Sequence, residues 1–146
     1  MALLFDTNIL LYLARNTNAK KIVNPSNEVE YISVVTVGEA RSIAFQNGWG
    51  NAKIEKLENA LSKAIILDIN NEIIIDRYVQ IDAYSQKKHP AIPYSFKTPR
   101  IMVKNDLWIA ATASFLEVPL ITTDSDFDHL HEVFVNLVTL HPNLFK

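Results

Sequence analysis

The sequence predicts an α/β fold, in which a parallel sheet carries helices on both faces. Two observations point to it. Short apolar runs alternate with stretches of helical spacing along the chain. The chain has 146 residues, 49% hydrophobic and 21% charged, enough for one core-bearing globule and unlike a disordered segment. No internal repeat, low-complexity tract or linker interrupts it, so one domain is expected over residues 1–146.

The elements follow in order. Residues 2–5 form a short continuous apolar run and predict the first strand. Residues 7–14 follow helical spacing through Ile9, Leu10 and Leu13. Residues 16–29 are polar, hold Pro25 and several Asn, and read as a loop or frayed helix end. Residues 30–35 are β-branched and aromatic, either a short strand or the approach to a helix. A helix is predicted over 37–46, stopped by Asn47-Gly48-Trp49-Gly50. Another is predicted over 51–63, with Ile54, Leu57 and Leu61 on one face. Residues 64–67 predict a strand, and 70–88 a long helix with Ile74, Tyr78, Ile81 and Tyr84 in phase. Pro90, Pro93 and Pro99 make the next segment a loop. A helix over 106–115 contains Ala110, Ala111 and Ala113, which permit close packing. Strands are predicted at 120–122 and 133–138.

Composition excludes several chemistries. Cysteine is absent, so disulfides and thiolate metal sites are ruled out. That suits a reducing, cytoplasmic setting. The apolar start reads as a buried strand and not a signal peptide, because Asp6 and Asn8 interrupt it at once. The other apolar runs are too short or too broken to span a bilayer of about 30 Å. The net charge is -2, whereas nucleic-acid binders usually carry a basic excess. The distribution is uneven, however. Between Tyr84 and Asn105 stand Lys87, Lys88, His89, Lys97, Arg100 and Lys104, with no Asp or Glu. This is either a solvated loop or a surface that meets phosphates.

The acidic residues Asp6, Glu39, Asp106, Asp124 and Asp126 are the most informative. Each falls where an apolar run ends or a helix begins. In an open parallel sheet, such positions share one crevice at the carboxyl ends of the strands. Each also has an ordinary explanation. Asp6 or Asp106 fits a helix N-cap, worth roughly 1 kcal/mol. Thr36-Val-Gly-Glu39 matches a capping box. Asp124-Ser-Asp126 fits a plain turn.

Carboxylates gathered in one crevice repel, and their pKa values rise unless a cation neutralises them. Hard oxygen donors select Mg²⁺ or Mn²⁺. Such a site activates water for in-line attack on phosphorus, so phosphodiester hydrolysis is the chemistry it suits.

At these residues the sequence resembles a known family. Leu4-Phe-Asp6-Thr-Asn8-Ile-Leu-Leu11 is similar to the opening of PIN-domain ribonucleases. Thr36-Val-Gly-Glu39-Ala resembles their second motif, Asn105-Asp106-Leu-Trp-Ile-Ala-Ala111 the third and most specific, and Leu120-Ile-Thr-Thr-Asp124-Ser-Asp126-Phe127 the fourth. The motifs occur in order and span residues 4–127. The resemblance implies a three-layer α/β/α fold and Mg²⁺- or Mn²⁺-dependent endoribonuclease activity on RNA. It implies Asp6, Glu39, Asp106 and Asp124 as the catalytic acids. Asp6, Asp106 and Asp124 would ligate metal, with Asp126 at a position that contributes less regularly. Thr7, Asn8 and Thr123 are the neighbouring candidates for hydrogen bonds to substrate, and Lys104 for a phosphate. Small members are often VapC-type toxins held by an antitoxin, and commonly homodimers. The Pro-containing segment before Asn105 departs from the shorter connection of the family, which bears on substrate preference.

Other readings remain beside this one. A catalytically inactive PIN-like module would bind RNA or a protein partner without cleaving. A phosphatase with Asp6 as nucleophile, resembling haloacid-dehalogenase-like enzymes, would want a second Asp where Asn8 stands. His129-Leu-His131 suggests either a metal pair on one strand face or an edge strand or loop. Arg41 is expected to face away from Glu39. Trp108 is expected to pack on the sheet, and Trp49 in the core or its loop.

Overall fold

The computed structural model describes residues 1–146 apart from the side chain of Thr17. Five strands form one all-parallel sheet: β1 (Ala2–Phe5), β2 (Val29–Ser33), β3 (Ile65–Leu67), β4 (Leu120–Thr122) and β5 (Leu137–Thr139). Their order is β3-β2-β1-β4-β5. The chain steps outward from β1 to β3, then returns to the other side of β1 for β4 and β5. The reversal therefore lies between β1 and β4. This is the position where open α/β sheets leave a crevice at the carboxyl ends of their strands.

Parallel neighbours cannot be joined by tight hairpins, so helices make the crossings. They are α1 (Thr7–Arg15), α2 (Lys20–Val23), α3 (Val34–Gln46), α4 (Asn51–Ser62), α5 (Glu72–Ser85) and α6 (Lys104–Leu116). Successive side chains of a strand point to opposite faces, and β1 divides its residues accordingly. Leu3 and Phe5 join Ile9, Leu10, Leu13, Val37, Leu57 and Leu61 in a core with α1, α3 and α4. Leu4 joins Ile74, Ile81, Tyr84, Leu107, Ala110 and Leu120 in a second core with α5 and α6. Two cores on the two faces of one sheet make the expected three-layer α/β/α sandwich. The small residues Ala110, Ala111 and Ala113 are fully buried and let α6 lie close beneath α5.

Local chemistry sets the helix ends. Asp6 caps α1, with Oδ1 accepting from Ile9 N at 3.1 Å. Asn71 caps α5 through Ile73 N and Ile74 N. Gly48, at φ 62°, makes the left-handed turn between α3 and α4 that a side chain would strain.

Several boundaries differ from expectation, each for a physical reason. Residues 30–35 resolve into strand followed by helix, because Ser33 accepts from Val35 N at 3.1 Å and starts α3 at Val34. Thr36 and Glu39 consequently lie inside α3, and the predicted capping box does not form. The polar stretch 16–29 holds a 3₁₀ turn and the short α2. Buried Glu30 gathers Lys20 Nζ and Asn24 Nδ2 there. The long helix is shorter than predicted, ending before Lys87 at φ 62°. The last strand forms at Leu137–Thr139 and not over 133–138. Glu132 turns at φ 63°, and the N–H groups of Val133, Phe134 and Val135 all donate to Leu130 O. Trp108 packs on Tyr78 of α5, ring centroids 4.3 Å apart, and against the second core. Trp49 packs on the first core with Lys53 Nζ 4.0 Å above its ring.

Leu4 is completely buried at the sheet centre. Leu4→Ala is expected to lower the free energy of unfolding by about 2–5 kcal/mol, the range for cavity-forming core truncations, as read by urea denaturation followed by circular dichroism.

Candidate active site

The crevice between β1 and β4 collects the acidic side chains. Asp6 follows β1 directly and is only 3% exposed. Its backbone N–H donates to Ile121 O at 3.2 Å, continuing the β1–β4 pairing past the end of the strand. One carboxylate oxygen caps α1 and the other accepts from Thr122 Oγ1 at the end of β4. The same Thr122 oxygen accepts from Asp124 N at 2.9 Å. One hydroxyl thus ties Asp6 to the loop that carries Asp124.

That loop is itself a cap. Asp124 precedes a 3₁₀ helix (Ser125–Leu130), and its Oδ1 accepts from Asp126 N at 2.9 Å. The turn reading of Asp124-Ser-Asp126 is therefore correct, and compatible with a site. Asp106 lies in the first turn of α6, where the helix dipole favours an anion. A carboxylate oxygen from each of Asp106, Asp124 and Asp126 lies within 4.8 Å of the others. Glu39 stands in α3, where its Oε1 accepts from Thr7 Oγ1 at 2.7 Å. Thr7 Oγ1 also lies 3.4 Å from Thr36 Oγ1. The hydroxyl of Thr7 is buried and spent on orienting Glu39.

The electrostatics match this convergence. Burial pushes the Asp106 carboxyl up to about 7, helped by repulsion from Asp124, Glu39, Asp6 and Asp126. Asp6 is pushed up to about 6, mainly by burial, with Asp124 adding repulsion against the lowering hydrogen bonds from Thr122 and Ile9. Five acidic residues from three helices and two loops thus act on one small volume. The donor set is all oxygen, contains no thiol or imidazole, and holds more negative charge than it neutralises. It fits a hard divalent cation such as Mg²⁺ or Mn²⁺.

The remaining predicted residues fall around this centre. Asn8 is exposed beside Asp6 in the first turn of α1. Lys104 is exposed at the first position of α6, and Thr123 is half-buried between Thr122 and Asp124. Arg41 pairs with Glu58 of α4 at 2.8 Å and faces away from Glu39. The two histidines do not meet. His129 lies in the 3₁₀ helix, buried, with Nε2 hydrogen-bonded to Ser85 Oγ at 2.7 Å. Burial, and to a smaller extent the charge of Arg100, pushes it down to about 4, so it is neutral. His131 is exposed, and its Nδ1 accepts from Leu137 N. Their spacing falls on a 3₁₀ helix and its cap, not on a strand face.

Sequence reasoning missed two contributors. Thr122 holds Asp6 and Asp124 together, and its signal was a hydroxyl at the last position of a buried strand. Arg100 donates from Nη1 to Ser125 O at 2.8 Å, between the two aspartates of the last motif. Only its membership of the basic stretch marked it.

A family model, the PIN domain, matches residues 3–133. The chain belongs to the PIN-domain family. Solved structures share its architecture. VapBC2 from Rickettsia felis bound to a DNA fragment from its promoter aligns with a TM-score of 0.75 at 20% identity, covering 95% of this chain and 98% of that one. A toxin–antitoxin complex from Klebsiella pneumoniae aligns at 0.64 and 27% identity, covering 93% and 95%. The Sarcin-Ricin loop cleaving toxin VapC20 from Mycobacterium tuberculosis aligns at 0.61 and 15% identity, covering 96% and 99%. No curated protein matches the chain. Among the described residues of this PIN domain, no helix is long and apolar enough to cross a membrane.

The raised carboxyls give a signed prediction for the metal-free PIN domain. Asp6 and Asp106 move from an unfolded value of 3.8 to about 6 and about 7, so the folded state holds the extra protons inside that window. Stability is therefore lost as pH rises from about 4 to about 7. In EDTA, Asp106→Asn is expected to raise the melting temperature above wild type at pH 8 and to shrink that difference at pH 4. Equal melting temperatures at pH 8 would rule the repulsion out.

Proposed function

We propose that residues 1–146 form a single metal-dependent endoribonuclease domain, the toxin of a toxin–antitoxin pair. The observation that carries it is the meeting of Asp106, Asp124 and Asp126 within 4.8 Å, beside Asp6 and Glu39. The toxin role is supported by the likeness to VapBC complexes over nearly the whole length of both chains. By the same likeness a cognate antitoxin is the expected partner; a homodimer is what the motif resemblance to the family implies.

Asp106, Asp124 and Asp126 would hold Mg²⁺ or Mn²⁺, with Asp6 as the fourth candidate ligand. When bound, such an ion polarises a phosphoryl oxygen and lowers the pKa of water toward neutrality. The chain supplies the rest. Thr122 and the first turn of α1 fix both oxygens of Asp6, so that carboxylate cannot swing. Thr7 fixes one oxygen of Glu39, leaving the other to take the proton of the attacking water. An open cleft of about 480 Å³ lined by Val35, Gly38, Glu39, Ser42, Ile43 and Asn105 gives the RNA strand room to reach that carboxylate. Water attacks phosphorus, the bond to the leaving ribose oxygen breaks, and the proton ends on that oxygen. Asn8 and Thr123, next to Asp6 and Asp124 in the chain, are the candidate hydrogen-bond donors to the strand, and exposed Lys104 is a candidate phosphate contact.

The decisive assay incubates the protein with structured and single-stranded RNAs in Mg²⁺ or Mn²⁺. Cleavage is expected to stop in EDTA. Asp6→Asn and Asp106→Asn are each expected to lower the rate about 100-fold or more, the scale of losing one preorganised charge at a reacting centre. RNA binding without cleavage, indifferent to metal, would instead favour an inactive binding module.

A further inference from the structure

The basic segment between α5 and α6 is built against the acidic centre. Arg100 is its hinge. Its N–H donates to Ser85 O at 2.7 Å, and its Nη1 to Ser125 O at 2.8 Å. The segment is thereby fastened at once to the end of α5 and to the loop bearing Asp124 and Asp126. The buried His129–Ser85 hydrogen bond reinforces the same junction, and Tyr94 packs edge-on against Tyr84, ring centroids 5.2 Å apart. Within the segment, His89 Nδ1 accepts from Ala91 N and Ile92 N, and Tyr94 donates to Thr98 O. A loop held at this many points is a shaped surface.

Its outer face has two properties. First, its charge is unspent. Among the described residues, none of Lys87, Lys88, Lys97, Arg100 and Lys104 forms an ion pair. Lys87 Nζ donates only to the backbone carbonyl of Lys97, which brings its ammonium to that part of the segment. Second, an aromatic ring stands among them. Phe96 is 49% exposed and meets Tyr94 edge-on at 5.5 Å, with Lys87 Nζ 5.8 Å from the Tyr94 ring. Cations interleaved with an exposed ring form the usual platform for unpaired nucleotides: phosphates meet the cations and a base stacks on the ring. A cleft of about 250 Å³ is lined by Arg100, Ile101, Met102, Val103 and Asp126, so the arginine at the end of the segment shares it with one of the acids.

We propose that residues 87–104 are a single-stranded RNA-binding arm. Arg100 and Lys104 take the phosphates next to the carboxylate cluster, and Phe96 with Lys87 and Lys97 holds a base and its phosphates further along the strand. The proposal rests on the ribonuclease reading for its purpose, but its test does not. An overall charge of -2 is no obstacle, because the positive charge is concentrated where the strand would lie.

The test measures binding of a fluorescent single-stranded RNA to the full chain in EDTA, where no cleavage occurs. Phe96→Ala and the pair Lys87→Ala/Lys97→Ala are each expected to weaken binding about 10-fold, within the range for one stacked base. The lysine pair should also lower the slope of log Kd against log salt by about one. The pair Lys53→Ala/Lys56→Ala on α4 removes the same charge elsewhere and is expected to bind as wild type. Circular dichroism confirms that each variant folds. With Mg²⁺ or Mn²⁺ present, the arm variants should lose activity in KM and not in kcat. Unchanged RNA affinity in the arm variants overturns the proposal, and is the result expected if the arm serves a protein partner. An equal loss in the α4 pair overturns it too. A wild-type protein that binds RNA through the arm but never cleaves leaves the arm standing and defeats the nuclease reading.

Discussion

Pairing of β1 with β4 is the constraint on which the rest of the molecule depends. The register sets Leu4 against Leu120 and Phe5 against Ile121, and Asp6 N extends it by bonding Ile121 O. These residues are separated by most of the chain, so only the sheet can bring them together. Once paired, the two strand ends deliver Asp6 and Asp124 to the same edge. Thr122 then joins them with one hydroxyl. The helices that follow are placed by the same sheet. α3 starts at once after β2 and carries Glu39, while α6 lies beside it with Asp106 in its first turn.

The consequence is a centre that opposes its own fold. Two cores, one on each face, hold the sheet against the repulsion of carboxylates collected at its edge. Asp106 and Asp6 show that repulsion and burial as raised pKa values. Hydrogen bonds are used to orient the acids and not to neutralise them: Thr7 on Glu39, Thr122 and Ile9 on Asp6. Charge left uncompensated in this way is what a hard cation relieves. The basic arm repeats the logic with opposite sign. Among the described residues its cations form no ion pair, and backbone and aromatic contacts hold the segment in place. Arg100 bonds a carbonyl, not a carboxylate.

The family pattern and the local geometry also divide their roles. The ordinary readings of the acidic residues were in part correct. Asp6 is a helix cap and Asp124 caps a 3₁₀ turn. Capping does not compete with a site here, because one oxygen suffices for the cap and the carboxylate keeps further lone pairs. The exceptions are Asp106, which lies inside α6 behind Val103 and caps nothing, and Glu39. The capping box of Glu39 fails because Ser33 starts the helix earlier, and its carboxylate is left to Thr7 and the crevice.

Most of the α/β architecture was legible in the sequence. Buried parallel strands are short apolar runs, helices have their own period, and Pro and Gly mark the connections. The acidic residues of the centre were legible too, because each stands at the end of a strand or the start of a helix, and the motif order named the family. The tertiary structure decided what periodicity cannot carry. The last strand shifted to Leu137–Thr139 because the N–H groups before it turn onto Leu130 O. His129 proved to be a buried, neutral anchor, since its partner Ser85 lies on another helix. The links made by Thr122 and Arg100 were invisible for the same reason. A residue's type and local period are written in the sequence, but a hydrogen bond across the sheet depends on strand order and register, which form only when distant segments pack.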